Sequence, residues 1–577
     1  MKIRSIKGFI SVSLVTVMLC GTVSGCGVKA SYDLSPSSDC SASTDVAIGY
    51  KEIEDDKVYY GAEVYEESEA PASEACEEGN YDTYSESAED ETLYVNYLRD
   101  DNDKKGSYLD DIYDYDHNSH SAKNSDNEEY SELNEQGYRS VKAHPLSTFA
   151  ADVDTASYSN LRRMLSDGYD LDDIPEGAVR IEEMLNYFNY DYKGPKGDEP
   201  FGVNTEMAVC PWNKDAYLLS IGLKTEDIDF DQTPDSNLVF LIDISGSMNR
   251  PDKLPLLQES FCMLVDELSE KDRVSIVTYA NGVNVVLEGA SGNNKRKIKN
   301  AINDLFASGG TNGGEGIKTA YKLAEENFIK GGNNRIILAT DGDLNLGLTS
   351  VDELHDLVSR KKQSGVYLSV LGFGTGNIKD NRMETLADNG NGNYSYIDSE
   401  REAKKVLIDE LSANMLTVCK DVKLQVEFDP EVVKGYRLVG YANRVMKDKD
   451  FDNDKKDGGE IGAGHEVTVL YELIPTKDYE NISYNTIDEI LTLSVRYKKP
   501  SENKSRLLEY PISFKAYTER PTDDFLFKSA VAEFGLLASD SLFSADADLD
   551  NVLERLGSIR LDDGYKREFA DLVSNLE

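Results

Sequence analysis

Positive charge is scarce in this chain: 61 Lys and Arg stand against 107 Asp and Glu over 577 residues. A deficit of that size speaks against nucleic acid or an anionic lipid surface as a main partner. Cysteines are few and badly spaced for metal. Cys40 and Cys76 lie in low-complexity sequence, Cys210, Cys262 and Cys419 are far apart, and no CxxC or Cys/His zinc spacing occurs. Buried free thiols are the expected state of the last three. Five histidines, His117, His120, His144, His355 and His465, form no HExxH and no pair at ligand spacing. Ser247 has acids nearby, yet no His or Lys in the adjoining loops is placed to make it a nucleophile. GGTNGGEGIKT fails as a phosphate loop, because Ile317 stands where glycine should precede the lysine. DKDFDNDKKDGGE fails as a calcium loop: counted from Asp448, its sixth position is Asn453 and its twelfth Gly459. No enzyme class is indicated.

Long apolar runs are also missing, except at the start. Lys2, Arg4 and Lys7 precede an apolar stretch from Gly8 to Leu19 that is short for a membrane span, the pattern of an export signal. Val23-Ser24-Gly25-Cys26 follows and resembles the lipobox of bacterial lipoproteins, so residues 1–25 read as a signal peptide and Cys26 as the lipid attachment point. The mature protein is then expected outside the cytoplasm, anchored to the cell membrane through its N-terminal lipid. Residues 26–145 follow as an acidic segment rich in Tyr and Ser. From Gly27 to Pro145 it holds 31 acidic and 9 basic residues and 14 of the 34 tyrosines, without sustained periodicity. That composition predicts a disordered tether with a reach of roughly 60 Å.

Folded structure is expected from about Ser147. Residues 146–236 read as two helices followed by the strands VNTEMAVCPW and AYLLSIGL. Residues 237–416 alternate strand and helix, beginning with the apolar run NLVFLIDI and including a helix with Ser350 as its cap. Such alternation predicts an α/β fold, a doubly wound, mostly parallel sheet with helices on both faces. The helix REAKKVLIDELSANML completes the series. Residues 417–520 switch to five β-runs, a β-sandwich-like module, and 521–577 return to helix as a tail. Because β-runs flank the α/β unit on both sides, strands around Val203 to Leu223 are expected to join the later module, leaving the α/β unit as an insertion.

Loops at the carboxyl ends of the strands of such a sheet converge on a crevice. Three of them carry Asp243-Ile-Ser245-Gly-Ser247, Thr311 in ASGGTNGG, and Thr340-Asp341-Gly342-Asp343. Asp243, Ser245, Ser247, Thr311 and Asp341 form an oxygen-only set suited to Mg2+, with Mn2+ or Ca2+ as alternatives. Asp343 reads as a solvated loop acid.

These three elements, in order and on the expected loops, resemble the metal-ion-dependent adhesion site of von Willebrand factor type A domains. PWN, SNLVFLIDISGSM, ENFIKGGNNRIILATDGD, LSVLGFGTGN, GNGNYSYID and GEIGAGH resemble a family of bacterial lipoproteins carrying such a domain. The resemblance implies Ser245, Ser247 and Thr311 as direct ligands, with Asp243 and Asp341 direct or acting through water. It implies divalent-cation-dependent binding of a protein bearing an exposed Asp or Glu, as adhesin or scaffold. An envelope assembly factor with one fixed partner is the alternative reading, and a hydrolase the third. Movement of the REAKKVLIDELSANML helix, by analogy with adhesion receptors, would couple the site to the β module. Partner identity and oligomeric state are not encoded in any motif.

Overall fold

The computed structural model describes residues 128–576, apart from 230–231, 312, 343–356, 362–363, 477–488 and 562. The expected signal peptide, Cys26, most of the acidic segment, Asp343, Ser350 and His355 therefore lie outside the described residues.

The chain enters with β1 (Arg139–Ser140) and β2 (Leu146–Ala150), then α1 (Ala156–Ser166) and α2 (Ile181–Asn186), then the hairpin β3 (Gly202–Val209) and β4 (Tyr217–Lys224). The α/β unit follows: β5 (Ser236–Asp243), α3 (Leu254–Glu267), β6 (Arg273–Tyr279), β7 (Val283–Ser291), α4 (Lys295–Asn303), α5 (Gly313–Glu326), β8 (Asn333–Thr340), β9 (Tyr367–Phe373), α6 (Asp380–Asn389) and β10 (Tyr394–Ile397). Its sheet order is β10-β9-β8-β5-β6-β7, parallel throughout except for β7, which runs antiparallel at the edge. Every residue of β5 and β8 is buried, because helices cover both sides. Phe240 and Ile242 pack against α3 on one face, while Val239 and Leu241 pack against α5 on the other. After β5 the chain moves to β6 on one side and returns to β8 on the other. The crevice between β5 and β8 is thus the topological switch point.

The helix expected at the end of this unit is present and carries a π turn within it. Glu400–Lys404 is α-helical, Lys405–Asp409 is a π turn, and Leu411–Met415 resumes the α-helix. The buried Lys405 pairs with Glu410 five residues on and lies over the Tyr187 ring, contacts that a regular α register would not offer together.

Six strands follow: β11 (Thr417–Phe428), β12 (Val433–Val439), β13 (Gly459–Gly462), β14 (Glu466–Pro475), β15 (Leu491–Lys498) and β16 (Arg506–Ile512). They build two sheets. β1-β12-β14-β4-β3 takes β4 against β14, with Leu219 opposite Tyr471, so the α/β unit is inserted between two strands of one sheet. β13-β11-β15-β16 is the second, with β2 added on β11. An apolar layer that includes Leu219, Leu424, Val426 and Tyr471 fills the space between them. The outer face of the first sheet is covered by α1, α2 and the helical tail, Asp523–Ala538, Leu549–Ser558 and Gly564–Ser574, around the fully buried Trp212.

Residues 128–145, expected within the tether, are instead packed. Glu128 accepts hydrogen bonds from Arg163 and from the Gly376 amide, each at 2.9 Å. Glu129 bridges Lys379 and Arg382 and exchanges backbone hydrogen bonds with Ile378 and Asp380. Acidic composition alone gave no sign that these carboxylates meet matching cations across the fold.

Candidate functional site

β5 ends at Asp243, whose side chain is wholly buried. Its Oδ1 accepts the Ser245 amide at 2.8 Å and its Oδ2 accepts the Thr340 hydroxyl at 3.2 Å, so one carboxylate joins the ends of β5 and β8. The turn that follows places the Ser245 and Ser247 hydroxyls 2.9 Å apart. Ser245 is buried and Ser247 exposed. The glycine-rich loop is laid across this turn. Ser308 donates its amide to the Ile244 carbonyl at 2.8 Å, and Gly246 donates to the Gly309 carbonyl at 2.9 Å. Gly309 adopts φ +85°, and a side chain there would collide with Asn281, whose amide oxygen accepts the Gly310 amide at 2.7 Å. These bonds hold the backbone next to the half-buried Thr311.

Asp341, one residue beyond β8, is also buried, and its Oδ2 accepts a hydrogen bond from Lys253 Nζ at 2.8 Å. Burial pushes the Asp243 carboxyl up to about 7, with the nearby Asp341 adding to the shift against hydrogen bonds from Ser245. Burial, then the Asp243 charge, likewise raises the Tyr279 hydroxyl well above its usual value. The crevice floor therefore holds two buried carboxylates, one of them paired with Lys253, with the Ser245, Ser247 and Thr340 hydroxyls beside them.

Among the described residues, no group of three or more His, Cys, Asp or Glu side chains could hold a metal ion. A cation at this crevice would depend on hydroxyl and water oxygens besides the two carboxylates. The donor chemistry fits a hard divalent ion, since all its side-chain ligand atoms are oxygens and the buried carboxylates are held in place, Asp243 by an amide and a hydroxyl and Asp341 by the Lys253 ammonium.

Residues 237–410 match the von Willebrand factor type A domain, residues 124–220 the model described as von Willebrand factor, and residues 413–577 the C-terminal part of uncharacterized protein YfbK. Over 465 residues the chain is 39% identical to uncharacterized protein YfbK of Escherichia coli (strain K12), spanning 77% of this chain and 80% of that protein. This chain belongs to the YfbK family. A second similar protein is uncharacterized protein sll0103 of Synechocystis, 30% identical over 319 residues, 53% of this chain and 71% of that one. Among solved structures, the von Willebrand factor type A protein from Catenulispora acidiphila aligns at 18% identity and TM-score 0.39, over 64% of this chain and 88% of its own.

Two side chains of this YfbK-family site escaped the sequence reading. Lys253 precedes α3 and looked like an ordinary polar residue at a helix start, and Asn281 follows β6 in a turn. Only the fold brings them to the other loops. The remaining candidates stay apart from it. His465 is half-buried, with Nδ1 accepting the Gly462 amide at 3.0 Å, and His144 is exposed. Residues 448–458 form a turn-rich loop leading into β13, and the carbonyls at Asp450, Asn453 and Asp454 accept from Lys423 and Lys498. Cys210 and Cys419 are buried free thiols, and Cys262 is a half-buried one. No described helix is long and apolar enough to cross a membrane.

Proposed function

We propose that this protein binds other proteins in a divalent-cation-dependent manner, as an adhesin or scaffold at the bacterial cell surface, tethered by a lipid on Cys26. A von Willebrand factor type A domain suggests a protein-binding or scaffold role. The observation that carries the finer reading is the meeting of the Asp243–Ser247, Ser308–Thr311 and Thr340–Gly342 loops at the β5/β8 switch point. Asp243 and Asp341 supply negative charge from below, and Ser245, Ser247 and Thr311 present neutral oxygens nearer the mouth. Mg2+ bound there, or Mn2+ or Ca2+, would offer a coordination position to an Asp or Glu of the partner. With its other positions filled by neutral hydroxyl and water oxygens, such an ion can exchange a water for a partner's carboxylate oxygen. The reading is of a binding protein.

The test is a cross-linked capture from envelope extracts using the chain from Gly27 onward, run in parallel with Mg2+ and with chelator. Partners should be lost with chelator and equally with Asp243→Ala or Thr311→Ala, while thermal melting stays close to that of the parent. Partners retained through all three changes would refute the reading. Incorporation of labelled fatty acid, abolished by Cys26→Ser, tests the anchor separately.

A further inference from the structure

Resting on that reading, we infer that Lys253 is a built-in counter-charge that makes cation binding and partner-carboxylate binding mutually dependent. Its side chain and that of Asp341 are 4% and 0% exposed, and their 2.8 Å contact uses Asp341 Oδ2, an oxygen of the candidate ligand set. The lysine is held there by the fold. The backbone of Gly374, at φ +76°, closes over it so tightly that a Cβ would lie 2.2 Å from Lys253 Cγ. The lysine stem is enclosed and its ammonium lies on Asp341 rather than in solvent.

The charge count gives the consequence. With both aspartates ionised, as a bound cation holds them, Asp243, Asp341 and Lys253 together carry a formal charge of −1. A divalent ion turns this into +1, and a single carboxylate from a partner returns the assembly to zero. Without Lys253 the same two aspartates would neutralise the ion by themselves. In a poorly solvated crevice, where charges a few ångströms apart interact strongly, the ammonium opposes the cation and favours the incoming anion. Lys253 thus weakens the site for metal alone and strengthens it for metal together with an acidic side chain. By thermodynamic reciprocity, whatever factor the carboxylate adds to metal affinity, the metal adds to carboxylate affinity. An idle site would then stay largely metal-free and load when a partner is presented.

The probe is Mn2+, titrated by calorimetry or by electron paramagnetic resonance, with and without acetate at constant ionic strength. The parent should bind Mn2+ weakly and gain at least fivefold from saturating acetate. Lys253→Met, of similar length and apolar, should bind Mn2+ at least tenfold more tightly and gain less than twofold from acetate. Lys253→Arg, which keeps the charge, should stay within threefold of the parent. If Lys253→Met melts cooperatively and binds Mn2+ no better than the parent, the lysine only positions Asp341 and the inference falls, while the metal site stands. If neither protein binds Mn2+, both this inference and the functional reading fail. Should Lys253→Met not fold, Lys253→Gln carries the same comparison.

Discussion

Arg444→Met should be among the costliest single substitutions in the protein. Arg444 ends a short 3-10 turn after β12, and its guanidinium reaches Asp152 at 3.0 Å, Asp154 at 3.3 Å, Glu384 at 3.0 Å and Asp388 at 2.6 Å. The first two lie just after β2, and the last two lie on α6, so one side chain binds the α/β unit to the β module. The four carboxylates do not count equally. Asp388 is 42% exposed, so water replaces the arginine there at little cost. Glu384 keeps Arg180 at 3.8 Å. Asp152 and Asp154 are 3% and 5% exposed and keep mainly amide donors, so the loss falls on them. Stranding buried charge in this way costs about 3–5 kcal/mol. The assay is urea unfolding at pH 7.5 followed through Trp212, the one tryptophan of the chain and fully buried. Exposed Arg506, paired with Glu502, is the control, and its loss should leave the midpoint unchanged. Adding Asp152→Asn to Arg444→Met should recover part of the loss, since it removes one stranded charge. A loss below about 1 kcal/mol for Arg444→Met would refute the claim that the cluster depends on this cation.

His465 should make the protein acid-sensitive. Burial first, then the charges of Lys405 and Arg335, hold its imidazole down at about 3, against an ordinary value near 6.5. Between those values the unfolded chain binds a proton that the folded chain refuses, so this contribution is complete above pH 6.5 and is lost as pH falls toward 3. From pH 7.5 to 5 the parent should lose up to about 2 kcal/mol more than His465→Gln, read as the difference in urea midpoints, and equal losses would contradict the shift. Leu241→Ala, at a fully buried centre of β5, should cost about 2–5 kcal/mol by the same urea assay, and a smaller loss would mean the sheet face collapses around it. Gly374→Ala should cost about 1–3 kcal/mol, through its positive φ and the collision with Lys253, and an unchanged melting curve would show that the lysine moves freely.

What could be read from the chain beforehand divides along a physical line. β5 and β8 announce themselves because a strand covered on both faces must be apolar at every position, and the loops that leave them carry Asp243, Ser245, Ser247 and Asp341 within a few residues of those runs. Both signals are local. The joining of β4 to β14, more than two hundred residues apart, was legible only as a suspicion drawn from β-runs on both flanks, and its register, Leu219 opposite Tyr471, was not legible at all. The packing of Glu128 and Glu129 was hidden for a related reason: a composition that predicts self-repulsion says nothing about cations placed elsewhere on the fold, here Arg163, Lys379 and Arg382.

Lys253 sharpens the same point. In sequence it is one basic residue between a turn and the apolar pattern of α3, where a solvated side chain is the ordinary expectation. In the fold the turn after β5 brings it under Gly374 and onto Asp341, and its meaning reverses from a surface charge to a buried one beside a candidate ligand carboxylate. The oxygen set proposed to hold a cation is therefore readable as a motif, because its members sit at short spacing on loops that leave two apolar strands. The residue that sets how tightly, and with what companion, is supplied by a different loop through the tertiary structure. A chain can keep the motif intact and still alter the coupling by changing position 253 alone, so the Lys253 variants separate the presence of the site from its tuning.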